Sequence, residues 1–236
     1  MRAAAGSDIG RRYPANFDVV HLGADPLVAV VADGMGAGAG SAAAGRTAVD
    51  LFVAGIAGAP TGSAPDAARA AVAAAQARVG EIGARLRELA GCTLAAMVEA
   101  GGGYWLVQIG DSRVYRLRGE LLELLTVDHT MAWLGAVHGW FPFDSEQAAR
   151  ARYQLTRYIG HPDAPEPDVL NLSVRPGDVY LLCTDGITDQ VPYGVLREVL
   201  GEVGDPQRAV DRLIAAASAA GGSDNATAIV VVAESV

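Results

Sequence analysis

The chain contains no lysine: all 18 of its basic residues are arginine, against 27 acidic ones, for a formal net charge of -9. That balance repels nucleic acid, and no local basic patch offsets it. Cysteine is nearly absent too. Cys92 and Cys183 each sit inside an apolar, strand-like run, where a small buried thiol is a more economical reading than a disulfide. Aromatic residues make up only 6% of the chain. No apolar run approaches the roughly 18 residues that a bilayer span needs, and the opening MRAAAGSDIGRR lacks the apolar core of a signal peptide. The expectation is a soluble, cytoplasmic monomer with no membrane partner. Catalysis by a protein nucleophile also lacks its signatures: there is no GxSxG elbow and no cysteine beside an obvious base.

What is present points to one domain over residues 1–236, long enough to bury a substantial core. Leu27 to Ala32 reads as a fully buried strand, followed by a helical pattern from Ser41 to Ile56. Ser63-Ala64-Pro65-Asp66 forms a capping box that opens an alanine-rich helix towards Ala90. From Gly91 the period becomes that of strands: Thr93 to Val98, Tyr104 to Ile109, Val114 to Leu117 and Leu121 to Leu125, read as an antiparallel meander. Val179 to Cys183 and Ala228 to Val232 complete a second strand-rich block, with a helix from Asp205-Pro206 to Ala220. Segregated strands and helices predict an α+β protein, an antiparallel β sandwich covered by helices. Between Thr130 and Pro176 the pattern is irregular and carries Trp133, Trp140, Phe141 and Phe143, which form either a flap over a site or a satellite core.

Four segments end an apolar strand, or begin a glycine-rich turn, on an aspartate: VVADGMG at Asp33, VQIGDSR at Asp111, LLCTDG at Asp185 and GGSDN at Asp224. Asp18, just before Val19-Val20, makes a fifth. Singly, each is an ordinary turn signal. Gathered at one sheet edge, the carboxylates would repel one another unless cations neutralised them. An all-oxygen ligand set favours Mg, Mn or Ca over zinc. Two such ions about 3.5 to 4 Å apart share and activate a water for phosphoryl transfer.

These segments resemble, in order and across nearly the whole chain, the type 2C (PPM) metal-dependent Ser/Thr protein phosphatases in their compact bacterial form. The matching stretches are SDIGRRYPANFD, VADGMG, GCT, IGDSRVYRLR, LTVDHT, LTRYIG, PGDVYLLCTDGITD and SDNATAIVV. The resemblance implies a four-layer α-β-β-α sandwich and hydrolysis of phosphoserine or phosphothreonine in proteins by a metal-activated water, with a flap within 130–176. It assigns Asp18, Asp33 with the Gly34 carbonyl, Asp185 and Asp224 to a pair of Mn or Mg ions, with Asp33 and Asp185 carrying catalysis. It makes Asp111 a ligand of a third ion, Asp189 a helper, and His129 a structural element.

The chain departs from the family pattern in three places. Phe17 stands where a Glu or Gln usually precedes the first aspartate, so either one ion is held more weakly, or water and carbonyls compensate. Tyr13 stands where a phosphate-holding arginine often lies, leaving Arg12 or Arg11 to meet the phosphate. Met35 replaces a histidine that some members use as an acid. Two other readings compete: a pseudophosphatase that binds phosphorylated partners without turnover, and a dinucleotide-binding oxidoreductase suggested by Gly34-x-Gly36-x-x-Ala39 after a strand.

Overall fold

The computed structural model describes residues 1–57, 59, 62–202 and 204–234. Its strands are β1 (Arg2–Asp8), β2 (Val19–Ala24), β3 (Leu27–Ala32), β4 (Leu94–Ala100), β5 (Gly103–Ile109), β6 (Arg113–Arg118), β7 (Leu121–Leu124), β8 (Asp168–Leu172), β9 (Val179–Cys183) and β10 (Ala226–Val232). Its helices are α1 (Ala39–Ala57), α2 (Ala64–Leu86), α3 (Met131–Val137), α4 (Glu146–Ala151), α5 (Asp185–Thr188), α6 (Tyr193–Gly201) and α7 (Pro206–Ala219). The strands form two five-stranded sheets, β1-β10-β9-β6-β7 and β2-β3-β4-β5-β8, with every pairing antiparallel.

Alternation along the strands explains the layering. Leu27, Ala29 and Val31 of β3 face Tyr180 and Leu182 of β9 and Ile229 and Val231 of β10 between the sheets. Val28, Val30 and Ala32 face the other way, under α1 and α2. Val179, Leu181 and Cys183 of β9 likewise pack beneath α6 and α7. Strands buried on both faces read as continuous apolar runs, which is why β3 and β9 stand out in the sequence. Four layers, α-β-β-α, follow as expected. Cys92 and Cys183 lie in the two separate outer cores, both fully buried. Among the described residues no helix is long and apolar enough to cross a membrane.

The structure corrects four local readings. The meander is broken: β4 and β5 belong to one sheet and β6 and β7 to the other, and the chain changes sheets at Gly110-Asp111-Ser112. Gly110 makes this possible with φ of +105°, and an added Cβ would lie 2.6 Å from Thr93. Helix α2 stops at Leu86 rather than Ala90, because Arg87 turns left-handed and its N–H bonds back to the Gly83 carbonyl. Ser63 does stand at the N-cap of α2, but its side chain makes no capping bond to the helix. The glycine pattern after β3 does join a strand to a helix, yet both neighbours of β3 run antiparallel, so no βαβ unit exists and the dinucleotide reading falls.

Candidate metal centre

The loops at one end of the sandwich surround a pocket of about 270 Å³ lined by Asp33, Asp111, Asp185 and Asp224, with Gly34, Thr93 and Asn225. Each aspartate lies at or next to a strand boundary. Asp33 follows β3 and Asp18 precedes β2 in one sheet; Asp185 follows β9 and Asp224 precedes β10 in the other; Asp111 lies on the crossing between them. Burial raises the pKa of Asp33 well above its ordinary value, and Asp18, Asp185, Asp111 and Asp224 push it further. Burial also raises Asp111, with repulsion from Asp185 and Asp128 adding to it. Asp185 is raised by burial and by Asp189 and Asp224. Burial raises Asp18 too, although hydrogen bonds from Thr227 and Thr184 pull the other way.

Among the described residues none of the five enters an ion pair; the nearby arginines are committed elsewhere, Arg113 to Asp128 at 2.5 Å and Arg152 to Asp189 at 2.6 Å. Asp18 Oδ1 and Asp185 Oδ1 are buried with no hydrogen-bond partner. Buried carboxylate oxygens without donors are costly unless a cation meets them. Among the described residues no three acidic, His or Cys side chains close into a ready-made cage. A hard cation does not require one: Mg keeps several waters and takes one or two carboxylates. The all-oxygen lining and the orphaned oxygens therefore fit divalent cations of the Mg or Mn kind.

Gly34 is fixed by packing as much as by any ligand role. A Cβ there would lie 2.7 Å from the Ser41 carbonyl oxygen and 2.8 Å from that of Phe17. Phe17 is only 7% exposed and forms part of the pocket wall, with Tyr13 edge-on at 6.2 Å. It is thus a buried residue that also borders the acidic cavity. Arg12 lies over the Tyr13 ring at 5.1 Å and acts on Asp224, whereas Arg11 packs against Gly222, and neither lines the pocket. Asp189, paired with Arg152, lies with Asp111 in an adjoining cleft of about 20 Å³. Met35, Leu89, Tyr153 and Leu155 complete the wall, so the irregular segment does border the site.

Sequence reasoning missed the residues that hold the aspartates. Thr184 Oγ1 donates to Asp18 Oδ2 at 2.8 Å and accepts the Thr227 N–H at 3.2 Å. Thr93 Oγ1 accepts the Asp33 N–H at 3.0 Å and meets Ser112 Oγ at 2.7 Å. Asn225 is 3% exposed; its Oδ1 accepts the Phe17 N–H at 2.7 Å, and its amide donates to Ile9 O at 2.7 Å and Ala15 O at 3.2 Å. The available signal was the polar residue beside three of the motif aspartates, Ser112 after Asp111, Thr184 before Asp185 and Asn225 after Asp224; Thr93 and Thr227 carried no such signal. His129 has the structural placement expected of it. Its Nδ1 accepts the Gly110 N–H at 3.0 Å, and its Nε2 meets both Asp168 at 3.0 Å and the Arg157 guanidinium at 2.9 Å. Burial lowers its pKa, which keeps the ring neutral in this role.

Known proteins share this sequence pattern and this fold. A family model described as protein phosphatase 2C matches residues 16–219. The serine/threonine protein phosphatase PstP of Mycobacterium tuberculosis is 36% identical over 98% of this chain, a stretch that makes up 44% of that protein. The chain thus spans less than half the length of that curated relative. The crystal structure of the PPM Ser-Thr phosphatase MsPP from Mycobacterium smegmatis in complex with cacodylate superposes with a TM-score of 0.86 at 33% identity, covering 100% of this chain and 99% of that one. The catalytic domain of PstP in complex with two manganese ions gives 0.84 at 32% identity, covering 97% and 96%.

Proposed function

The chain belongs to the protein phosphatase 2C family, and from that premise we propose that it hydrolyses phosphoserine or phosphothreonine in proteins with two divalent cations, Mn or Mg. The observation that carries this reading is the four aspartates that line one pocket, with Asp18 near enough to repel Asp33, and the orphaned buried oxygens of Asp18 and Asp185. Asp18, Asp33 with the Gly34 carbonyl, Asp185 and Asp224 would hold the two ions, and Asp111 a third. When bound there, such ions supply Lewis acidity, activating water and offsetting charge on the phosphoryl oxygens.

The remaining work falls to the chain itself. Thr184 and Thr93 orient Asp18 and Asp33. Phe17, Met35, Leu89 and Leu155 present apolar surface that limits water around the reacting phosphate. Arg12 is the guanidinium next to the Asp224 side of the pocket and would meet the phosphate there. Cys92 and Cys183 take no part: burial holds both thiols protonated. The same reading takes 1–236 as one catalytic domain with a flap within 130–176; residues 58, 60, 61, 203, 235 and 236 lie outside the described residues.

The test is turnover of p-nitrophenyl phosphate and of a phosphothreonine peptide with Mn, with EDTA, and after Asp33→Asn or Asp185→Asn. Loss of turnover in EDTA and in both variants is expected; turnover indifferent to EDTA would refute the reading. Because Phe17 and Tyr13 narrow the Asp18 side, a second reading is a binding module. Tight, metal-dependent capture of the peptide without turnover would select it.

A further inference from the structure

The larger cavity of the molecule is not the acidic one. A cleft of about 540 Å³ opens between the α3–α4 segment and the end of β7, within the range that binds organic ligands. Leu124, Val127, Trp133 and Phe143 line it while remaining 44, 39, 41 and 72% exposed, a grouping of large apolar side chains at one concavity. Apart from the exposed Asp144 carboxylate, the charged and hydroxyl groups that line it are already bonded within the protein. Arg113 is bonded to Asp128, Arg152 to Asp189, Thr126 Oγ1 accepts the Val114 N–H, Thr130 Oγ1 accepts the Trp133 N–H, and Ser145 Oγ accepts the Ala148 N–H. No free cation is offered to a second phosphate, so the cleft favours an apolar occupant.

It also adjoins the acidic pocket. Arg113, Asp128 and Arg152 line both the cleft and the small adjoining gap, which in turn shares Asp111, Tyr153 and Asp185 with the carboxylate site. A peptide whose phosphorylated residue enters the acidic pocket would reach the cleft by crossing over the Arg113–Asp128 and Arg152–Asp189 pairs that lie between the two. We propose that the cleft is a specificity subsite for one large apolar side chain, aromatic or branched aliphatic, flanking the phosphoresidue of the protein substrate. This rests on the phosphatase reading and deepens it.

The experiment is a set of phosphothreonine peptides with Trp, Leu or Ala placed in turn at each flanking position, assayed with Mn alongside p-nitrophenyl phosphate. At one position Trp or Leu is expected to raise kcat/KM about tenfold over Ala, equivalent to about 1.4 kcal/mol. Ala149→Phe, which fills the cleft from the exposed face of α4, and Trp133→Ala are each expected to abolish that preference while p-nitrophenyl phosphate turnover is unchanged. A flat peptide profile with normal p-nitrophenyl phosphate turnover overturns the subsite alone. So does a preference that survives both variants, or a flat profile in which Ala149→Phe alters sedimentation, which would give the cleft to a second copy of the chain. Failure to turn over p-nitrophenyl phosphate under any metal condition overturns the parent reading and the subsite with it.

Discussion

Replacing Asn225 with alanine tests whether the metal centre is held by the polar residues that the strand pairing brings together. Asn225 sits at the base of the loop leading to Asp18, and its side chain closes three hydrogen bonds to backbone at Ile9, Ala15 and Phe17. Each such bond contributes about 1 kcal/mol net, and a buried group left unpaired costs about 1–3 kcal/mol. Because the Phe17 N–H is buried, Asn225→Ala is expected to cost about 3 kcal/mol. In a domain of this size that lowers Tm by roughly 6–12 °C. Asn225→Asp should lose at least as much at neutral pH: it keeps the acceptor for Phe17 but turns a carboxylate towards the Ile9 and Ala15 carbonyls, next to Asp224. Urea denaturation at fixed Mn measures the stability, and a Mn titration of p-nitrophenyl phosphate turnover measures the site. The half-saturating Mn concentration should rise in Asn225→Ala, with turnover largely recovered at excess Mn. Unfolding within about 0.5 kcal/mol of the parent protein would refute the argument, since that is the range of an uninvolved surface change.

Asp33→Asn should abolish Mn-dependent turnover yet melt no lower than the parent protein in EDTA, because it removes a buried charge that Asp18, Asp185, Asp111 and Asp224 all repel; a lower metal-free Tm would count against the like-charge account. Thr184→Val, which deletes the donor to Asp18 while keeping the shape, should weaken Mn binding about 10- to 100-fold by calorimetry, the range for partners that orient a ligand. An unchanged affinity would remove Asp18 from the centre. Asp178 tests pH linkage away from the site. Burial alone would raise its carboxyl, but bonds from Arg118, the Arg175 N–H and the Tyr180 hydroxyl outweigh that and hold it below the usual value. A depressed carboxyl stabilises the fold above the unfolded pKa, about 3.9, and loses that contribution as pH falls through the folded value. The deficit of Asp178→Asn in urea midpoint should therefore be full at pH 7 and shrink below about pH 4; a deficit that grows on acidification would refute the assignment.

Most of the sandwich was legible because its inner strands are buried on both faces. Leu27–Ala32 needs no context to be recognised. Strand β1 went unread for the opposite reason: Arg2–Asp8 has little strand propensity, and its small residues are there to let α7 lie close. A Cβ on Gly6 would reach 2.7 Å from Val210. Strand β8 lay hidden in the irregular segment, since only pairing with β5 defines it. In the site, the aspartates were readable because each lies at a strand boundary, most of them in a glycine-rich turn. Thr184, Thr227 and Asn225 were not, because their meaning depends on partners more than 40 residues away. The sheet change at Asp111 was invisible for a similar reason: two adjacent hairpins look the same in sequence whether they share a sheet or not.

That crossing also makes the centre a gauge of sheet alignment. Asp18 and Asp33 move with one sheet, Asp185 and Asp224 with the other, and ions held between them would act as a rivet through both. The Thr184–Asp18 and Asn225–Phe17 bonds are the same joint made without metal. Repacking in the layer between the sheets, at Met97, Leu106 or Tyr180, would then be felt at the reacting phosphate without touching it. The chemistry of this fold is tuned from its middle as well as from its rim.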